Sequence, residues 1–184
     1  MNIKDYNRFI FDINVVYGSD GPEYKAIEFL RNIKEIEDAK VLFVTDNSTV
    51  PESHYVDMFK TNGIDWILPE HIISYHKLTD LVTNNTQNTT SHLVTPIDET
   101  EEHISIIHSY LPLANNSKCI FFCMLLDHVR FARSFGIDSC VVASSDLIEQ
   151  MSEEEITPTF AEDSIFSILS RMAFENHREY CRRK

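Results

Sequence analysis

The sequence predicts one three-layer, Rossmann-like α/β domain on a mainly parallel five-stranded sheet, and three observations carry that expectation. Short, bulky apolar runs such as Phe9–Ile13 and Lys118–Met124 end abruptly in polar residues. Amphipathic segments with apolar residues at helical spacing lie between them, and this alternation implies right-handed βαβ crossovers covering both faces of a parallel sheet. The 184 residues suit a single domain over 1–184 that buries a core without disulfides or metals.

Taken in order, Phe9–Ile13 is a buried strand by length and bulk. Gly18-Ser19-Asp20-Gly21-Pro22 is a turn, with Pro22 suited to a helix's first position. Ala26, Ile27, Leu30 and Ile33 then recur on one helical face. Lys40–Thr45 is the second strand, ending in Asp46-Asn47-Ser48-Thr49. The next helix opens at Pro51-Glu52, presents Tyr55, Val56 and Phe59, and closes at Asn62-Gly63. A helix-like segment runs from Pro69 to about Thr83, followed by a low-complexity exposed loop at Asn84–Ser91. Leu93-Val94-Thr95 is the third strand, a helix follows from Glu99, and Lys118–Met124 is the fourth strand. A helix from Asp127 ends at Gly136, and Ser139–Ala143 is the fifth strand. An acidic turn (Glu153-Glu154-Glu155), the Thr157–Phe160 piece and a last helix from about Asp163 complete the chain. On that helix Ile165, Ile168, Leu169, Met172 and Ala173 either pack on the sheet or form a homodimer surface.

Apolar residues make up 43% and charged ones 24%, with a net charge of −13. That acidity argues against nucleic acid and anionic membrane surfaces as partners. No signal peptide or membrane-length apolar run is visible. The four cysteines form no CxxC pair and three of them border apolar runs, which reads as buried reduced thiols in a cytoplasmic protein.

The stretch Arg8-Phe9-Ile10-Phe11-Asp12-Ile13-Asn14 ends a strand in an acid, where open α/β sheets place their ligands. It resembles the first motif of the haloacid dehalogenase (HAD) superfamily, an aspartate, any residue and a second aspartate, with Asn14 in the second acid's place. The likeness extends to Val44-Thr45-Asp46-Asn47-Ser48-Thr49, to Asn62-Gly63-Ile64-Asp65, to Phe131–Ser139 and to Pro158–Ile165. These pieces are similar in order and spacing to the nitrophenyl-phosphatase and phosphoglycolate-phosphatase branch. That branch inserts a large cap domain where residues 84–91 leave room only for a loop, so a capless HAD core is expected.

The resemblance implies Asp12 as the nucleophile of an aspartyl-phosphate pathway and position 14 as the acid/base. It also implies Thr45 and Asn47 as phosphate-binding residues, and Mg²⁺ held by Asp12, the Asn14 carbonyl and a downstream acid. The departures fall on those same functions. Asn14 carries no acid or base, Val15 replaces a glycine, and the phosphate lysine falls on Thr95. The metal motif falls on Phe122-Cys123 and Asp127-His128; sliding it by one residue offers Asp127 as the acid, and His128 either replaces that acid or simply opens a helix. Asp46 adds an anion at the mouth, unfavourable to phosphate without a metal.

Two functions of different class follow. One is a phosphatase-like pseudoenzyme, inactive or very weak, that binds a protein partner, its own copy or a small anionic ligand. The other is a divergent Mg²⁺-dependent phosphohydrolase that uses Asp12 on a phosphorylated substrate.

Overall fold

The computed structural model describes residues 2–18, 21–47, 49–75, 77, 118–142 and 145–171. Its elements run β1 (Arg8–Asp12), α1 (Ile13–Val16), β2 (Tyr17–Gly18), β3 (Gly21–Pro22), α2 (Tyr24–Lys34), β4 (Lys40–Thr45), α3 (Glu52–Thr61) and β5 (Ile72–Ser74). After residue 118 come β6 (Cys119–Cys123), α4 (Leu126–Ser134), β7 (Asp138–Val142), α5 (Ser145–Glu153), β8 (Phe160–Glu162) and a helix over 165–171 (α6). The main sheet has the order β5-β4-β1-β6-β7-β8 and every pairing in it is parallel. From β1 the chain builds outward to β4 and β5, then returns to the other side for β6, β7 and β8. That reversal brings the carboxyl ends of β1, β4 and β6 to one crevice, the place where such sheets bind ligands.

Side-chain alternation along the central strands assigns the two faces. Phe9, Phe11, Val41, Phe43, Ile120 and Phe122 enter one core, with Phe29 and Leu30 of α2, Phe59 of α3 and Ile165, Ile168 and Leu169 of α6. Phe11 stacks on Phe122 with centroids 4.7 Å apart, and Phe29 meets both rings edge-on. Ile10, Leu42, Val44, Phe121 and Cys123 enter the opposite core with Val129, Phe131 and Ala132 of α4 and Met151 of α5. The three-layer architecture expected from the sequence is therefore present, and the apolar face of α6 packs within the chain.

Several details differ from expectation. Among the described residues the sheet has six strands: four of the five expected, plus the edge strands β5 and β8, which the sequence pattern does not announce. Pro69 opens a 3₁₀ turn, and Ile72 and Ile73 then pair with Phe43 and Val44 at the sheet edge; Tyr75 and Lys77 are helical, and the rest of the helix expected up to Thr83 lies outside the described residues. A β-branched pair beside an open strand edge outweighs a weak helical period. Pro22 lies in a β2–β3 hairpin, and α2 starts at Tyr24 with Glu23 as its N-cap. The α5 helix went unread because its apolar positions, Leu147, Ile148 and Met151, are few and run into the acidic Glu153–Glu155. The loop at 84–91, the strand at Leu93–Thr95, the helix from Glu99 and Thr95 itself lie outside the described residues, and so does the capless expectation.

Candidate active site

Asp12 is the last residue of β1 and shares the face of Ile10, so its carboxylate turns toward α4. One oxygen, Oδ1, accepts the Asn14 backbone N–H at 2.9 Å and caps the single turn of α1. The other, Oδ2, lies 3.3 Å from Nδ1 of His128. Both side chains are closed off, with exposures of 0% for Asp12 and 1% for His128. On its far edge the imidazole presents Nε2 to Asp46 Oδ1 at 3.6 Å, and Asp46 is half open to solvent. His128 is thus a bridge between two carboxylates at the carboxyl edge of the sheet.

The ring is also clamped. Phe121 stacks on it at 5.1 Å between centroids, and Tyr75 packs against it, tilted, at 4.5 Å. Tyr75 in turn donates its hydroxyl to the Asp127 carbonyl at 3.1 Å, which fixes it over the first turn of α4. Burial holds the Tyr75 phenol up at about 12, and the carboxylates of Asp127 and Asp46 add to the shift. The approach of His128 to Asp12 is off line for a hydrogen bond, so Asp12 Oδ2 and both imidazole nitrogens remain buried without one. Such atoms ordinarily cost about 1–3 kcal/mol each.

Helix phase separates the two candidates at the start of α4. His128 points into the sheet, whereas Asp127 stays 70% exposed and pairs with Arg130 at 2.6 Å. Arg130 extends the chain of charges to Glu154. Of the residues expected as metal ligands, Asp12 and Asn14 meet at the end of β1, whereas the Asp127 side chain is turned to Arg130. Asn14 itself is exposed, with its backbone, not its side chain, tied to Asp12.

Thr45 ends β4 on the opposite face from Asp12, the face that Phe43 shares, and its hydroxyl lies 3.2 Å from the Tyr55 hydroxyl of α3. It also accepts the Asn47 backbone N–H at 3.1 Å, while Asn47 Oδ1 accepts from both the N–H and the hydroxyl of Thr49. Both residues expected to grip phosphate are thus engaged in shaping their own loop.

The donor set does not fit Mg²⁺. That ion demands near-octahedral oxygen coordination, yet the group facing Asp12 is an imidazole held by aromatic rings. Cys123, at the end of β6, is fully buried; burial pushes its thiol well up, and the sulfur donates to the Phe121 carbonyl. Among the described residues, no three His, Cys, Asp or Glu side chains are arranged to hold a metal ion.

His128 and Asp46 are each legible in the sequence, but their joint approach to Asp12 is not. Tyr75 went unnoticed, since it follows an edge strand read as helix.

No protein-family profile and no curated protein matches the chain. Solved structures do. The 4-nitrophenylphosphatase from Thermotoga maritima is 15% identical with a TM-score of 0.57, covering 89% of this chain and 96% of its own. A hypothetical protein from Pyrococcus horikoshii OT3 is 16% identical with a TM-score of 0.61, covering 89% and 98%. NagD from E. coli K-12 is 12% identical with a TM-score of 0.57, covering 90% and 98%. At these identities the likeness is one of fold, and it agrees with the strand order and with the resemblance read from the motifs. The chain shares its Rossmann-like α/β core fold with these structures, a nitrophenylphosphatase and NagD among them.

Proposed function

We propose that this is a phosphatase-fold protein whose phosphoryl-transfer site is closed, and that it acts by binding a partner or a small anionic ligand rather than by turnover. One observation carries the reading: the carboxylate at the nucleophile position is fully buried beneath His128. In-line attack on phosphorus needs that oxygen open to the substrate, with an acid/base beside it and positive charge around the phosphoryl group. Asn14 supplies no proton, Asp127 is turned to Arg130, and Asp46 adds negative charge at the mouth. Losing one member of a catalytic unit commonly costs orders of magnitude in rate.

The test is hydrolysis of p-nitrophenyl phosphate with Mg²⁺, by the wild type and by Asp12→Asn. The expected result is the same background rate for both. Turnover that Asp12→Asn abolishes would sink this reading in favour of the second, a divergent phosphohydrolase. That alternative draws on Asp12 standing at the carboxyl end of β1, beside the Thr45–Asn47 loop at the end of the neighbouring strand.

A further inference from the structure

We propose that His128 occupies the place of a metal ion at this site. Its imidazole joins Asp12 to Asp46 and keeps divalent cations out, and removing it converts the crevice into a cation site. This rests on the closed-site reading above and assigns the closure to one side chain.

The argument starts from charge. Asp12 ends β1, Asp46 follows the end of β4, and those strands are adjacent in the sheet. Two carboxylates converging on one crevice repel each other, and a cation between them would relieve that repulsion. His128 lies there, 3.3 Å from one and 3.6 Å from the other. It meets them through its two nitrogens, which flank one ring carbon, so the imidazole stands between the acids. The acids are a ring's width apart, too far to share one ion directly, so an ion on Asp12 would reach Asp46 through one of its own waters, in the space that the ring fills. The ring is held in place, because Phe121 and Tyr75 both pack against it and Tyr75 is fastened to the Asp127 carbonyl.

Donor chemistry points the same way. Mg²⁺ and Mn²⁺ favour carboxylate, carbonyl and water oxygens. With the ring in place, the Asp12 oxygen that an ion would use is covered. With the ring removed, nothing of His128 covers that oxygen, and Asp46, half open to solvent, stands beside the space the ring leaves. Nearby Asp127 competes poorly for the role of counter-charge, since its carboxylate is committed to Arg130.

Mn²⁺, followed by the loss of its free-ion EPR signal, is the probe; far-UV circular dichroism checks each variant's fold. The wild type should bind Mn²⁺ no better than its Asp12→Asn variant. His128→Ala should bind about tenfold more tightly or better, a difference readily resolved in the titration, and adding Asp12→Asn to it should abolish the gain. His128→Asn, closer in size to the ring, serves in place of His128→Ala if the latter fails to fold. Wild-type binding that depends on Asp12 overturns the proposal, as does the absence of a gain in a folded His128 variant. If neither variant folds, paramagnetic broadening of the His128 imidazole resonances in the wild type decides: selective broadening by Mn²⁺ overturns the proposal and its absence supports it. Metal-independent, Asp12-dependent phosphatase activity would remove the closed-site reading while leaving the exclusion of the cation intact, so the two failures are distinguishable.

Discussion

At the residue scale, the chemistry of this crevice is decided by which groups are buried beside Asp12. Tyr75 gives a measurable consequence. Its phenol, ordinarily near 10, is held at about 12, first by burial and then by Asp127 and Asp46. A raised pKa means that the folded state keeps the proton after the unfolded chain has lost it. The associated stability is therefore complete below about pH 10 and is lost as the pH rises toward 12. The buried thiols of Cys119 and Cys140, both pushed up to about 12 by burial, act in the same sense from a lower starting point. Urea midpoints should thus fall steadily on the alkaline side, and Tyr75→Phe should make that fall shallower between pH 10 and 12. An unchanged slope, or a Tyr75 phenolate already absorbing near pH 10, would remove the argument. The chemical types at this scale were legible in the sequence: Asp12, Asn14, Thr45, Asp127 and His128 all stood out. Which of Asp127 and His128 faces Asp12 was not, because one step along a helix turns a side chain by more than a quarter-circle and boundaries read from sequence are uncertain by that much.

At the element scale, the strands follow from local pattern and the edges do not. β1, β4, β6 and β7 are bulky apolar runs buried on both faces, and such runs announce themselves wherever they occur. β5 and β8 are three residues each and become strands only because β4 and β7 offer them an open edge. Helix ends read better where a backbone requirement is specific. Gly63 ends α3 at a φ of +74°, and its N–H bonds to the Lys60 carbonyl. A Cβ there would lie 3.0 Å from Arg31 Nη2, the same nitrogen that donates to the Asn62 carbonyl. Gly63→Ala should therefore cost about 1–2 kcal/mol from the left-handed backbone alone, read as a lower urea midpoint at unchanged slope. An equal or higher midpoint would show that the turn relaxes.

At the scale of the whole molecule, the net charge of −13 bears on stability as well as on partners. Local pairs such as Lys25–Glu28 and Arg171–Glu162 offset a little of it, but the sum remains strongly acidic. Self-repulsion of this kind opposes the compact state and is screened over about 10 Å at 0.1 M salt. The midpoint of thermal unfolding should rise when sodium chloride is increased from low to physiological strength. A flat or falling midpoint would place the acidic groups too far apart to matter.

The sequence by itself determined the α/β class, the central strands, the carboxyl-edge position of Asp12 and the departures of Asn14 and Cys123 from the motifs they resemble. These are properties of residue type and short-range period, and both are carried within a few neighbouring positions. Only the tertiary structure decided that Asp12 is sealed, that His128 and not Asp127 meets it, and that Asp46 completes the bridge. Those encounters join residues 12, 46 and 128 across three adjacent strand ends. They depend on strand order and helix phase together, which no single stretch of the chain contains.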